Sequence, residues 1–390
     1  MNNFFVGTKI YFGEGQLKIL RELKYKKVFI VTDPFILNSG MINNVTRHLE
    51  ESGVSYEIFS DIIPDPSTDI IAMGVKKMDD YGPDALIAIG GGSAIDAAKS
   101  ILYFRNIINL GLKSTNNKET LFITIPTTSG TGSEVTSFSV ITDNITKMKY
   151  PLVEEEMVPD IAILDAELVK TLPDTITADT GIDVLTHGIE AYVSKSASVY
   201  TDALCEKSIK IVFDNILNAY KDGYNMEART NMHNASCMAG MAFTNASLGI
   251  NHSMAHILGA RFKVSHGKLN GILLPYVMEF NAGLNNGSEK NCSSTAAKYA
   301  QIAKIIGLSK YNTSNTKEEV RLLITSLKSL LKLLGIPSRI KDLNINENEF
   351  NQNLSEMCDI ALNDRCTATN PRKTSKEDLM KLFTRAFNGR

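Results

Sequence analysis

Thiolate chemistry has little to work with in this chain. Its 390 residues hold five cysteines, Cys205, Cys237, Cys292, Cys358 and Cys366, scattered, odd in number and without a CxxC pair. That argues against a disulfide framework or a thiolate zinc knot, and a reducing, cytoplasmic setting is the expectation. A marked excess of charge of either sign is missing as well. The formal net charge is -2, so there is no broad basic field for nucleic acid or an anionic membrane surface. No apolar run is long enough to span a bilayer, and the start lacks a basic segment followed by an apolar one. Repeats and low-complexity tracts are absent, and Asn281–Ser294 reads as a polar surface loop. What remains is 43% hydrophobic and 22% charged, an ordinary globular composition in a chain too long for one core. Two domains are expected.

The first half alternates short β-branched apolar runs with helical segments. Lys27–Thr32, Ser55–Phe59, Ala85–Ile89, Leu121–Ile125 and Ile161–Leu164 read as buried strands. Amphipathic stretches near Met41–Glu51 and Asp69–Asp80, and a third opening at Ser93, read as helices between them. Continuous apolar strands separated by helices predict a parallel sheet covered on both faces. After Asp179 the strand-like runs stop. Asp202–Ala219, Ala235–Phe243, Thr295–Ile306 and Glu318–Leu334 carry helical periodicity. The pattern predicts a Rossmann-like α/β domain over residues 1–179 and an all-α domain over 180–390. Leu168–Asp179 reads as the connecting hinge, and the active site is expected in a cleft between the domains.

Two loops have the composition of phosphate cradles. Gly90-Gly-Gly-Ser93 follows a strand and opens a helix, where glycine lets backbone N–H groups approach an anion. It is neither a GxGxxG fingerprint nor a Walker loop, and a tight strand-to-helix turn explains it equally well. Pro126-Thr-Thr-Ser-Gly-Thr-Gly-Ser-Glu134 follows a second strand. Paired loops at the carboxyl ends of parallel strands favour a nucleotide site over two coincidental turns. Asp33 ends the first strong strand; its carboxylate would accept from a ribose 2′-hydroxyl and repel a 2′-phosphate. A plain Asp-Pro turn is the competing reading.

Of six histidines, three fall within fifteen residues: His252, His256 and His266. His252 and His256 stand four apart, as do Asp183 and His187, so on helices each pair shares a face. One carboxylate and several imidazoles suit Fe(II), Zn(II), Co(II) or Mn(II). The surrounding sequence is small and apolar, so buried histidines there need partners. Spacing decides neither which candidates ligate nor which metal they hold. His48 and His233 lie on polar stretches and read as surface or boundary positions, and Cys366 as a packed small residue.

Six stretches together, Gly90–Lys99, Ile125–Glu134, Gly181–Tyr192, His252–Ala260, Ser265–Asn270 and Asp364–Arg372, resemble the iron-containing (group III) alcohol dehydrogenases nearly end to end. The resemblance implies that Asp183, His187, His252 and His266 hold the metal and that His256 stands near the nicotinamide without ligating. It implies dinucleotide contacts from Gly91, Gly92, Ser93, Thr127, Thr128, Thr131 and Lys149, and a preference for NAD set at Asp33. Phe243 would line the substrate pocket and Cys366 would lie close to it. Asp65 departs from the pattern, standing where relatives often carry Asn, so a contact from that position is not carried over.

The expected activity is hydride transfer between a small primary alcohol or diol, its aldehyde and NAD. Fe(II) is the expected metal and Zn(II) the alternative, acting as Lewis acid. His256 would relay the alcohol proton. The small apolar character of Ala235–Leu248 suggests short uncharged substrates, and the resemblance implies a homodimer or larger homo-oligomer. Alternatives are a glycerol dehydrogenase-like zinc enzyme and a dehydroquinate synthase-like lyase. The lyase would need a phosphate-rich pocket with several Lys and Arg, which Ala235–Leu258 does not supply.

Overall fold

The computed structural model describes residues 3–111, 120–145, 149–284, 293–309 and 315–389. Cys292 and most of the stretch read as a polar loop, Asn281–Ser294, lie outside these residues. Two compact units make up the chain, one spanning Phe5–Thr171 and the other Leu172–Arg390 with the first four residues.

Among its described residues the first unit holds eight strands: β1 (Lys9–Gly13), β2 (Lys27–Val31), β3 (Ser55–Phe59), β4 (Ala85–Gly90), β5 (Leu121–Pro126), β6 (Phe138–Thr142), β7 (Lys149–Val153) and β8 (Ile161–Asp165). Six form one sheet in the order β1-β8-β5-β4-β2-β3, with every pairing parallel. β6 and β7 form a separate antiparallel pair. The α-helices that accompany them among the described residues are α1 (Pro34–Asn38), α2 (Asn43–Glu51), α3 (Thr68–Tyr81) and α4 (Gly92–Gly111).

Alternation along the strands builds a core on each sheet face. Val28, Ile30, Ile87, Ile89, Ile123 and Ile125 pack with Val45 and Leu49 of α2. Phe29, Val31, Leu86, Ala88 and Phe122 pack with Ile71 and Met78 of α3 and Ala94 to Leu102 of α4. The five strands read from the sequence are all present. β1, β6 and β7 escaped that reading because none is a continuously buried strand: no residue of β1 is buried, and in β6 only Ser139 and Ile141 are.

The second unit is helical among its described residues: α5 (Asp174–Val193), α6 (Val199–Lys221), α7 (Met226–Ala246), α8 (Ile250–Phe262), α9 (His266–Ala282), α10 (Ser294–Ile305), α11 (Thr316–Leu333), α12 (Glu347–Asn363), α13 (Arg365–Thr369) and α14 (Lys376–Asn388). Asp174–Asp179, read as part of a hinge, is instead the opening of α5. Pro173 precedes it at the N-cap, where its missing N–H is no loss. From Gly181 to Val193 every residue of α5 is buried, so the helix has no polar face to betray it by periodicity. Asn281, expected in a surface loop, is buried near the end of α9.

Candidate functional site

In the first unit the two predicted loops interlock. β4 and β5 are neighbours, with Gly90 paired to Pro126, so both loops leave the same sheet edge side by side. Thr127 N–H donates to Gly90 O at 2.9 Å. A Cβ on Gly92 would meet Thr131 Cγ2 at 2.8 Å, and one on Gly91 would lie 3.5 Å from Thr128. Gly92 is thus required by close approach of the threonine-rich loop. Ser93 sits in the first turn of α4, where unsatisfied N–H groups gather. Asp33 caps α1, accepting from Ile36 N–H through Oδ1 at 2.9 Å. Its Oδ2 lies 3.3 Å from the point a Gly90 side chain would occupy, so the turn role uses one oxygen and leaves the other beside the glycine loop. Lys149 opens β7, but its side chain lies outside the described residues. Asp65 adopts a left-handed φ of 57°, a conformation that Asn and Asp tolerate best among residues with side chains.

Behind these loops lies a feature the sequence reading passed over. Lys99 is 1% exposed. Its ammonium donates to Ser133 Oγ at 3.0 Å, Thr136 Oγ1 at 3.0 Å and Phe138 O at 2.8 Å. Three N–H bonds meet three acceptors. Ser133 Oγ in turn donates to Asp96 at 2.6 Å, and Val140 N–H donates to the same carboxylate. Burial lowers Lys99 to about 8 despite the attraction of Asp96 and Glu134. Burial likewise raises the buried Glu134 to about 7. The hydroxyl-rich loop is therefore pinned from behind by a buried cation.

In the second unit the predicted ligands converge. Asp183 and His187 project from one face of α5, His252 from α8, and His266 begins α9. One potential ligand atom each of Asp183, His187 and His252 lies within 4.8 Å of the others, and all three residues are buried. Asp183 Oδ1 is 3.8 Å from His252 Nε2 and 3.7 Å from His266 Nε2. The His187 ring stacks on His252 at 4.7 Å between centroids and on Phe243 at 4.6 Å. Gly267 permits this meeting, since a Cβ there would lie 2.0 Å from Asp179 O, a backbone atom of α5.

The donor set fits a divalent cation. Asn270 Nδ2 donates to Asp183 Oδ1 at 2.6 Å and also faces His252 Nε2 and His266 Nε2, each at 3.1 Å. Its orientation follows from the bond that Asn251 Nδ2 donates to Asn270 Oδ1. A single amide nitrogen thus meets three acceptors, an arrangement in which a carboxylate and neutral imidazoles aim lone pairs at a common region. Burial, reinforced by the neighbouring histidines, holds His252 well below the usual imidazole range, which keeps its ring neutral and able to ligate.

Three further residues complete the geometry and were not singled out from the sequence. Asn270 is one; it stands four residues after His266. Glu190 stands three after His187 on α5. Its Oε2 is 2.5 Å from His252 Nδ1, and its Oε1 accepts from Asn251 N–H at 2.8 Å. With Nε2 accepting from Asn270, Nδ1 carries the proton and donates to Glu190, so the carboxylate fixes the tautomer that exposes Nε2. Burial pushes Glu190 up, and the backbone N–H groups of Asn251, Gly249 and His252 pull it back toward the ionised form that accepts from Nδ1. Asp364 is the third, 2.8 Å from His256 Nδ1. Burial opposes its ionisation, but the bonds from His256 and Cys366 outweigh this and hold Asp364 below its usual range. His252 and His256 share a helix yet part in environment: the first side chain is 1% exposed, the second 42%.

His48 and His233, read as surface or boundary positions, are buried. The His48 ring accepts from Arg21 Nε at 2.7 Å, and burial together with that cation lowers its pKa.

Comparison with known proteins fits this geometry. Residues 7–166 match the family model of iron-containing alcohol dehydrogenases, and residues 177–387 match the model of that family's C-terminal region. The chain belongs to the iron-containing alcohol dehydrogenase family. It is 39% identical to an NADPH-dependent butanol dehydrogenase of Clostridium saccharobutylicum, over 100% of this chain and 99% of that protein. A 1-propanol dehydrogenase of Citrobacter freundii is 40% identical over 98% and 99%. Among solved structures, the iron-containing alcohol dehydrogenase of Thermococcus thioreducens superposes with a TM-score of 0.88 at 34% identity, covering 100% of both chains. The chain is accordingly an oxidoreductase interconverting alcohols and aldehydes, with iron and NAD(P) as its cofactors. Among the described residues no helix is long and apolar enough to cross a membrane.

Proposed function

We propose that this enzyme reduces short aldehydes to primary alcohols, and runs the reverse oxidation, with NAD(H) preferred over NADP(H). The observation that carries the reading is the convergence of Asp183, His252 and His266 around one amide nitrogen, with His187 stacked alongside. These four residues would hold the iron. Bound there, the ion supplies Lewis acidity, which polarises a carbonyl and stabilises an alkoxide.

This chain's own residues supply the rest. Thr127, Thr128, Thr131, Gly91, Gly92 and Ser93 bind the dinucleotide phosphates, together with Lys149. Asp33 accepts from the ribose and disfavours a 2′-phosphate. Phe243, stacked on His187, gives the substrate an apolar wall suited to a short alkyl chain; the propanol- and butanol-acting relatives support that size. His256, partly exposed and oriented by Asp364, moves the alcohol proton between substrate and solvent. Cys366, buried beside that pair, borders the same pocket. Cys205, Cys358 and Cys366 are free thiols, in keeping with a cytoplasmic enzyme, and we read it as a homo-oligomer as in the expectation from sequence. Family membership sets the lyase alternative aside and leaves zinc as the competing metal.

The test is to strip the purified protein of metal and restore Fe(II) anaerobically or Zn(II), following NADH and NADPH oxidation with propanal and butanal. Activity returning with Fe(II) and favouring NADH is expected. Turnover indifferent to metal would overturn the ligand assignment, and preference for NADPH would overturn the role given to Asp33.

A further inference from the structure

A second set of mixed donors stands beside the first and contains the sulfur that the first lacks. His256, Asp364 and Cys366 each place a potential ligand atom within 4.8 Å of the other two. They come from two elements: His256 from α8, Asp364 from the N-cap of α13 and Cys366 from its first turn. Asp364 is held firmly. Its Oδ1 accepts from Cys366 N–H at 2.8 Å and from Ser253 Oγ at 3.3 Å, while its Oδ2 faces His256 Nδ1 at 2.8 Å. Thr367 Oγ1 donates to Ser253 Oγ at 2.8 Å and closes the support. The thiol side is buried and the imidazole side is accessible, so an ion has a way in and the fourth position can be taken by water.

We propose that His256, Asp364 and Cys366 form a second divalent-cation site, selective for a thiophilic ion such as Zn(II) or Cd(II). The donor set decides the class: imidazole, carboxylate and thiolate suit zinc and cadmium, whereas the sulfur-free Asp183 cluster has the harder character suited to Fe(II). One proton balances the binding. The Cys366 thiol gives up its proton to solvent, the imidazole shifts its proton from Nδ1 to Nε2, and Nδ1, the carboxylate and the sulfur bond the ion. Thiolate and carboxylate together neutralise its double charge. Closing the three donors to zinc-type bonds of about 2.0–2.3 Å takes side-chain movement only, since all three already face one another. Occupancy engages the imidazole that the proposed function uses as proton relay. The site is therefore inhibitory, a consequence that rests on that reading of His256, whereas the binding itself does not.

Cadmium titrated into the anaerobic, iron-loaded enzyme separates the two sites by spectrum. Thiolate coordination produces an ultraviolet charge-transfer band that the Asp183 cluster cannot give. The expected result is a band saturating at one Cd(II) per chain, absent in Cys366→Ser. In His256→Asn, which keeps the thiol and alters an accessible position, the titration midpoint should rise at least tenfold. No band in the wild type, a band persisting in Cys366→Ser, or an unchanged midpoint in His256→Asn would each overturn the site. Wild-type turnover followed in the same titration tests the relay separately. A saturated band with undiminished turnover would count against His256 as the proton route and leave the site standing.

Discussion

Each unit buries a cluster of ionisable groups, and the two are built on opposite principles. Around Lys99 the cluster is complete. One ammonium with three N–H donors meets three acceptors, and Asp96 and Glu134 supply the opposite charge. Around Asp183 the cluster is acceptor-rich: a carboxylate and imidazole nitrogens share one amide donor. A buried polar group needs a partner of the opposite kind. The first cluster contains its own cation and so serves structure, holding the loop that carries Thr127, Thr128 and Thr131. The second has the composition of a cation's ligand shell, the role we propose for it. The contrast teaches that burial of charge alone does not mark an active site; what distinguishes the metal cluster is its unbalanced donor count.

The largest effect expected from breaking this comparison is on the self-contained cluster. Lys99→Met leaves Asp96 and Glu134 without the cation that both attract. Removing one partner of a buried ion pair typically costs about 3–5 kcal/mol. Urea unfolding should show a loss of that order, while metal content per folded chain stays at the wild-type value. Lower metal content in the folded variant would mean that the two clusters are not independent.

The same cluster predicts a pH dependence. Glu134 rises from 4.5 to about 7 on folding. A carboxyl raised in the folded state contributes stability in full below pH 4.5 and loses it as pH rises through 7, because the unfolded chain releases its proton first. The interval corresponds to up to about 3 kcal/mol. Glu134→Gln should therefore lack this fall, so that its stability relative to wild type improves between pH 4.5 and 7.5. A constant difference across that range would show that the carboxyl does not titrate there.

On the metal side the effect is smaller and shows in affinity. Glu190→Gln puts an amide against His252 Nδ1, and an amide donor there favours the tautomer with its proton on Nε2, the wrong nitrogen for ligation. Changing such an orienting partner costs metal affinity about 10–100-fold. Competition with a chelator should register that loss with little change in the unfolding midpoint of the metal-free protein. Equal metal affinity in the variant would reduce Glu190 to a helix-packing role.

Much of this architecture was legible in the sequence, for physical reasons that also explain what was not. Strands buried on both faces, such as Ala85–Gly90, announce themselves as apolar runs, and the i, i+4 spacing of Asp183 and His187 on α5 puts both on one face by helix geometry alone. What stayed hidden depends on contacts between distant residues. Glu190 belongs to His252, 62 positions away, and Asp364 to His256, 108 away. Lys99 reads in sequence as an ordinary helix lysine, because nothing local signals that residues 133–138 fold over it. Asn270 was within reach, one turn beyond His266, but an amide is an easy residue to overlook beside three histidines. His48 and His233 erred the other way: their polar neighbours suggested exposure, and burial is decided by what packs on the helix.

The smallest predicted effect concerns Asp33, where structural and cofactor roles can be taken apart. One oxygen caps α1 through Ile36 N–H; the other stands beside the glycine loop. Replacing an N-cap by Ala costs about 0.5–2 kcal/mol, but Ser caps nearly as well as Asp. Asp33→Ser therefore keeps the turn and removes the charge that would repel a 2′-phosphate. The unfolding midpoint should hardly move, while the ratio of kcat/KM for NADH over NADPH should fall about tenfold, or roughly 1.4 kcal/mol. Asp33→Ala should show the same change in ratio with an added loss of stability. Should Asp33→Ser leave the ratio untouched while Asp33→Ala destabilises, Asp33 is a cap and nothing more, and the preference for NAD must be set by other residues of the first unit.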